Sequence, residues 1–130
     1  MNIGIILAGG KGLRLGSNVP KQMLLLGPKP VIAWSVDTFH KTKCIDKIII
    51  VSEKNHLKQM KELFPEKNYP KILSFIEGGE ERSDSSYNAI ISGKFSDEDI
   101  FLFHDAARPF VTEEIIVNMI KKVQETGACG

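Results

Sequence analysis

A glycine-rich segment directly after the first apolar run carries the groups that phosphate binding requires. Residues 3–7 are apolar, and residues 8–14 read Ala-Gly-Gly-Lys-Gly-Leu-Arg, with Pro20 and Lys21 a few positions further on. Glycines allow the backbone to approach an anion closely, free N–H groups can point at its oxygens, and two cations neutralise its charge. The segment therefore predicts a site for a triphosphate, in which Arg14 and Lys21 supply the positive charge.

Other interpretations of this segment stay open at the level of sequence. It is not a Walker A motif, because its Gly-Lys pair is not followed by Ser or Thr. The pattern Gly10-x-Gly12-x-x-x-Gly16 resembles a dinucleotide fingerprint, and Glu53 stands after the second apolar run, about forty residues on and roughly twice the usual distance. A nicotinamide-dependent enzyme is therefore one alternative, and a glycine-rich turn with solvated surface cations is another.

A second segment combines glycines with hydroxyl groups. Residues 78–86 read Gly-Gly-Glu-Glu-Arg-Ser-Asp-Ser-Ser and stand between an apolar run and a helical pattern. Gly79 would let the backbone press against a planar base, while Ser83, Ser85 and Ser86 offer hydroxyls or helix caps. Taken alone, the segment is equally typical of an ordinary capped helix.

A third segment places an acid and a cation just after an apolar strand pattern. Residues 101–110 read Phe-Leu-Phe-His-Asp-Ala-Ala-Arg-Pro-Phe. Asp105 is a candidate Mg²⁺ ligand, and Arg108 could hold a phosphate through two hydrogen bonds. The alternative is a structural ion pair between Asp105 and Arg108. His104 is expected to be structural, because its side chain alternates away from that of Asp105 along the strand.

Alternating patterns of strand and helix position these segments. Short runs rich in Ile, Val and Phe predict strands at 3–7, 47–52, 72–77 and 100–104, and amphipathic spacing predicts helices at 31–39, 56–64, 82–91 and 112–126. The last helix should have Thr112 as its N-cap and end before Gly127. Such alternation indicates an α/β fold, a doubly wound and mostly parallel sheet with helices on both faces, in one domain over residues 1–130. All three segments would then open at the same sheet edge.

Composition is typical of an ordinary globular domain. The chain has 130 residues, 42% hydrophobic and 25% charged, with a net charge of +1, which argues against binding to nucleic acid or to an anionic membrane. Cys44 and Cys129 show neither metal spacing nor a disulfide framework, and no signal peptide or transmembrane run is visible, so a cytoplasmic location is expected. Because no strand pattern follows the last helix, we expect the N-terminal part of a longer protein.

Together, the three segments resemble the IspD-type cytidylyltransferases. The likeness rests on Gly10-x-Gly12-x-Arg14 with Pro20-Lys21, on Gly78-Gly79-x-x-Arg82-x-x-Ser85, and on His104-Asp105-Ala106-Ala107-Arg108-Pro109, and it runs over residues 3–130. The resemblance implies transfer of CMP from CTP to an alcohol phosphate, release of pyrophosphate, and Mg²⁺ as the cofactor.

The resemblance also assigns a role to individual positions. Arg14 and Lys21 match the catalytic cations, Asp105 and Arg108 match contacts to the alcohol phosphate, and Asp105 also matches the position beside Mg²⁺. The positions that match the CTP pocket are Leu7, Ala8, Gly9, Gly10, Gly12, Gly79, Arg82, Ser85 and Ala107.

The resemblance leaves two candidates for the alcohol phosphate. We expect 2-C-methyl-D-erythritol 4-phosphate, used in isoprenoid precursor synthesis, with ribitol 5-phosphate as the alternative. Leu7 stands where the methylerythritol enzymes often carry proline, whereas Ala107 favours that branch. Family members are substantially longer than this chain and dimerise through the part that follows. A homodimer is therefore expected for the full-length protein, and an inactive CTP-binding fragment is a further alternative.

Overall fold

A computed structural model describes residues 1–8, 21–79 and 81–127, and for Lys21 and Arg82 the backbone alone. The elements in chain order are β1 (Asn2–Ala8), β2 (Leu25–Leu26), β3 (Lys29–Pro30), α1 (Val31–Lys41), β4 (Lys47–Ser52), α2 (Leu57–Leu63), β5 (Ile72–Glu77), α3 (Arg82–Ile91), β6 (Ile100–Asp105) and α4 (Glu113–Thr126).

The main sheet has four parallel strands in the order β5-β4-β1-β6. Its two central strands, β1 and β4, are almost entirely buried, because helices cover both faces and both alternating sets of side chains need apolar surroundings. This explains why their sequences are continuous apolar runs. In register, Leu7 lies beside Val51 on one side and beside Asp105 on the other, so the strands end level with one another.

Helices cover both faces of the sheet because the chain changes direction after β5. The steps from β1 to β4 and from β4 to β5 run one way, whereas the step from β5 to β6 crosses back over both central strands. Right-handed crossovers then put α1 and α2 on one face and α3 on the other. Phe39, Met60 and Ile116, from α1, α2 and α4, belong to one buried cluster, and Ala89 of α3 belongs to the second. The predicted doubly wound α/β architecture is confirmed.

The structure confirms every predicted strand and helix, with ends that differ by one or two residues. Thr112 caps α4 by accepting a hydrogen bond from the Ile115 N–H at 3.2 Å, and Gly127 ends the helix in the left-handed region at a φ of 81°. The short antiparallel pair β2–β3 was not predicted, because two-residue strands leave no periodicity to detect. Within the described ranges, no helix is long and apolar enough to cross a membrane.

Gly4 is required by the packing of α1 on β1. A Cβ atom at this position would lie 2.5 Å from Cδ2 of the buried Phe39 ring. We therefore expect Gly4→Ala to lower the free energy of unfolding by about 1–3 kcal/mol, as overpacking of a core does. Urea denaturation would measure the loss. The double variant Gly4→Ala/Phe39→Leu should recover part of it, and no recovery would contradict the assigned clash.

Candidate active site

The end of β1, where the first segment begins, lies beside the third segment at the end of β6. Asp105 is the last residue of β6 and is paired in register with Leu7 of β1. The Ala106 N–H extends the pairing by donating to the Leu7 carbonyl at 2.9 Å. The chain continues from β1 to β4 on one side of β1, and β6 pairs with β1 on the other side. Open α/β sheets bind their ligands at such a switch point. The pairing thus brings Leu7, Ala8 and Asp105 together as predicted.

A tight turn after β6 presents Asp105 and Arg108. The Asp105 Oδ1 atom accepts a hydrogen bond from the Ala107 N–H at 3.0 Å, and the Arg108 N–H donates to the Asp105 carbonyl at 3.1 Å. The Arg108 side chain is exposed. Among the ion pairs of the described residues, none joins Asp105 to Arg108, so the structural ion pair considered as an alternative is not formed. The carboxylate orders the turn while its second oxygen has no partner among the described residues.

Below this turn, Ser35 and His104 hold the carbonyl group of Arg108. The Ser35 hydroxyl donates to this oxygen at 2.9 Å, and Nε2 of His104 lies 2.8 Å from it. A carbonyl oxygen only accepts, so the hydrogen bond requires the His104 tautomer that carries its proton on Nε2. The His104 ring also packs against Phe39, at 5.5 Å between ring centroids. His104 is therefore structural, as expected, and Ser35 is a partner that sequence patterns did not single out.

The second segment lies two strands away from β1, at the end of β5. Gly79 donates its N–H to the Ser85 hydroxyl oxygen at 3.2 Å, and Ser85 is only 4% exposed. A Cβ atom on Gly79 would lie 2.2 Å from the Cβ of Asp84, so the glycine is needed for the packing of α3 itself. The N-cap of α3 is Glu81, whose N–H donates to Asp84 Oδ2 at 3.3 Å, rather than any of the serines considered from the sequence.

Gln22 bonds a 3-10 turn to the end of β1, at the two ends of residues 9–20, which we call the phosphate segment after its predicted role. Lys21 and Gln22 belong to a 3-10 turn, Lys21–Met23, and Met23 packs against the core beneath α1. Nε2 of the buried Gln22 donates to the Ala8 carbonyl at 2.9 Å. Unlike Lys21, Gln22 carries no signal in the sequence, because nothing in a single sequence distinguishes a structural amide beside a cation.

Several predicted site residues cannot be placed at the level of side chains. Gly9, Gly10, Gly12 and Arg14 lie outside the described residues. For Lys21 and Arg82 the backbone positions, at the start of the 3-10 turn and of α3, lie at the same sheet edge as Ala8 and Gly79. Their roles stay predictions.

An apolar groove adjoins the site without resembling a phosphate pocket. It encloses about 490 Å³ between β6 and α4, and its lining includes Phe39, Phe103, Phe110 and Met119. Among the described residues that line it, Arg108 is the only Lys or Arg. Phosphate oxygens require several N–H donors and cations, so the groove is not the place for a triphosphate.

Comparison with known proteins decides the family. The model of the family 2-C-methyl-D-erythritol 4-phosphate cytidylyltransferase matches residues 3–130. The chain belongs to this family. A Clostridium perfringens protein with the same name is 45% identical over 127 residues, and one from Clostridium botulinum is 42% identical over 124 residues.

Solved structures agree with the sequence matches. The 4-diphosphocytidyl-2C-methyl-D-erythritol synthase of Anaerococcus prevotii superimposes on 95% of the chain with a TM-score of 0.77 at 26% identity. The match covers 51% of that structure, and the alignments to the two clostridial proteins cover 95–97% of this chain but only 54–55% of theirs. The chain therefore spans about half the length of the relatives it matches.

The hydrogen bond from Ser35 makes a prediction about the turn after β6. Ser35→Ala removes one donor to the Arg108 carbonyl and should lower the free energy of unfolding by about 1 kcal/mol. Amide hydrogen exchange should become faster at Ala106, Ala107 and Arg108. Thr38→Val is the control, because the Thr38 hydroxyl bonds only back to Trp34 within α1. Equal exchange in both variants would show that Ser35 does not order the turn.

Proposed function

We propose that the protein transfers CMP from CTP to an alcohol phosphate, 2-C-methyl-D-erythritol 4-phosphate, and releases pyrophosphate. The observation that supports the proposal is the pairing of Leu7 with Asp105, which puts the end of β1, where the glycine-rich segment begins, beside the acidic turn at the switch point of a sheet of this family. Relatives bearing the name of that activity support the choice of reaction.

The spacing of the strands gives CTP a direction along the sheet edge. Gly79 and Ser85 follow β5, which lies two strand spacings, about 10 Å, from β1. We place the cytosine near these residues and Arg82, and the triphosphate over Leu7, Ala8 and the segment with Gly9, Gly10 and Gly12. Ala107 and the turn after β6 would form the wall of the CTP pocket on the side away from β5. A pocket bounded by backbone would reject purines by size, and hydrogen bonds to the cytosine edge would reject uracil.

The reaction needs positioning and charge stabilisation more than covalent help from the protein. An oxygen of the alcohol phosphate attacks the α-phosphorus of CTP in line. A new P–O bond forms, the bond to the oxygen that bridges to the β-phosphorus breaks, and pyrophosphate leaves with that oxygen. Arg14 and Lys21 would stabilise the charge that grows on the triphosphate, while Arg108 holds the attacking phosphate as a bidentate donor.

The described residues fit Mg²⁺ only as an ion that arrives with the nucleotide. Within residues 1–8, 21–79 and 81–127, no group of three or more His, Cys, Asp or Glu side chains could hold a metal. Mg²⁺ is commonly bound by one or two carboxylates together with substrate phosphates, and Asp105 has one carboxylate oxygen turned away from its bond to Ala107. Asp105 would be the protein ligand. When bound, the ion would neutralise phosphate charge.

Alternative functions make different predictions. Ribitol 5-phosphate would replace the methylerythritol substrate without changing the CTP site, and a fragment without turnover would still bind CTP. A nicotinamide-dependent enzyme would bind NAD(P)H instead.

By resemblance we also propose a cytoplasmic homodimer for the full-length protein.

Two measurements test the proposal. Calorimetry should show that this chain binds CTP with Mg²⁺ and binds UTP, ATP and NADPH at least tenfold more weakly. Pyrophosphate release should require CTP and be faster with 2-C-methyl-D-erythritol 4-phosphate than with ribitol 5-phosphate. Binding of NADPH without binding of CTP would overturn the proposal, and binding of CTP without turnover would favour the fragment.

Lys21→Ala should separate activity from stability. Removing one donor to the transition-state charge should reduce the rate of pyrophosphate release by about 10²–10³, with little change in melting temperature. Lys58→Ala, at an exposed position of α2, is the matched control and should leave both unchanged. A parallel loss of melting temperature and activity in Lys21→Ala would mark the lysine as structural.

Asp105→Asn should change the dependence on Mg²⁺. The amide keeps an oxygen for the Ala107 N–H but loses the negative charge that a hard cation prefers. The Mg²⁺ concentration for half-maximal pyrophosphate release should rise about tenfold. Asp97→Asn, at an exposed position before β6, is the control. An unchanged Mg²⁺ profile in Asp105→Asn would disprove the ligand role.

A further inference from the structure

Gln22 makes the contact that joins the two ends of the phosphate segment. Its Nε2 atom donates to the carbonyl of Ala8, 14 positions earlier in the chain, at 2.9 Å. Both residues are almost completely buried, with exposed fractions of 4% and 3%. Ala8 is the last residue of β1, so this hydrogen bond lies where the sheet ends and the segment begins.

We propose that Gln22 is a positioning residue for CTP binding: its amide group holds the Ala8 carbonyl and thereby fixes Lys21 relative to the carboxyl end of β1. The inference rests on the proposed function. In this inference Gln22 contacts neither substrate nor metal. It acts by holding the backbone at the two ends of the phosphate segment, at Ala8 and at Lys21.

The surroundings of Gln22 make its turn a firm anchor. Lys21, Gln22 and Met23 form a 3-10 turn, and Met23 packs against the core. One residue further on, the Leu24 carbonyl accepts a hydrogen bond from the Val31 N–H at 2.9 Å, which ties the turn to the start of α1. The turn is therefore held on its outer side by α1 and on its inner side by β1 through Gln22.

The physical consequence is preorganisation. With Lys21 fixed relative to the end of β1, less conformational freedom has to be lost when a triphosphate binds. Without the Gln22 amide, the Ala8 carbonyl loses a buried donor, and the end of β1 is no longer bonded to the residue after Lys21. CTP affinity should then fall even though no group that touches CTP has been removed.

A matched pair of variants separates positioning from stability. Gln22→Met keeps the size of the side chain and removes the donor. Asn2→Leu removes an equivalent bond at the opposite end of β1, where Asn2 Nδ2 donates to the Cys44 carbonyl at 2.8 Å. We expect both variants to lose melting temperature, but only Gln22→Met to bind CTP with Mg²⁺ about tenfold more weakly.

Hydrogen exchange tests the same inference without reference to activity. In Gln22→Met, the backbone amides between Ala8 and Gln22 should exchange faster than in the wild type, and in Asn2→Leu they should not. Wild-type CTP affinity and exchange in a folded Gln22→Met protein would overturn the inference while leaving the proposed function standing. Failure of the wild-type chain to bind CTP would overturn the proposed function, and the exchange result would then still decide whether Gln22 fixes the segment.

Discussion

The parallel pairing of β1 with β6 is the constraint on which the site depends. It sets Leu7 beside Asp105, and a shift of one residue would turn the side chain of Asp105 to the other face of the sheet. The register is strongly fixed, because β1 is buried on both faces. Ile3, Ile5 and Leu7 pack into one core, and Ile6 and Ala8 pack into the other. The hydrophobic core therefore determines where the carboxylate lies, and chemistry at the sheet edge follows from packing in its interior.

The loops at this edge are ordered by polar contacts to backbone atoms. Gln22 holds the Ala8 carbonyl, Ser35 and His104 hold that of Arg108, and the Ser85 hydroxyl accepts the Gly79 N–H. Each of these contacts supplies a hydrogen-bond partner to a backbone group near the end of the sheet, where no neighbouring strand supplies one. Of the charged side chains that we propose to meet the substrates, Asp105 also takes part in this ordering, because its Oδ1 atom accepts the Ala107 N–H.

The fold could be predicted from the sequence, but the contacts that order the loops at this sheet edge could not. Continuous apolar runs and amphipathic spacing gave strands and helices to within one or two residues, and right-handed crossovers then put three loops at one edge. Gln22 and Ser35 carry no such signal, because a buried hydrogen bond depends on a partner that is distant in the chain. Gly79 was assigned to contact with a base, whereas the structure gives it a second reason, the close approach of Asp84.

This division between backbone anchors and charged groups has an energetic basis. A buried carbonyl that loses its donor destabilises the protein by about 1–3 kcal/mol, so the residues that hold Ala8 and Arg108 contribute both to stability and to the shape of the site. An exposed cation such as Arg108 has no ion pair among the described residues, and its removal leaves no buried group unsatisfied. Removal of the Arg108 side chain should therefore weaken substrate binding rather than lower the free energy of unfolding. Gln22 and Ser35 should therefore contribute to stability as well as to the shape of the site, whereas we propose that the exposed charge of Arg108 contributes to binding alone.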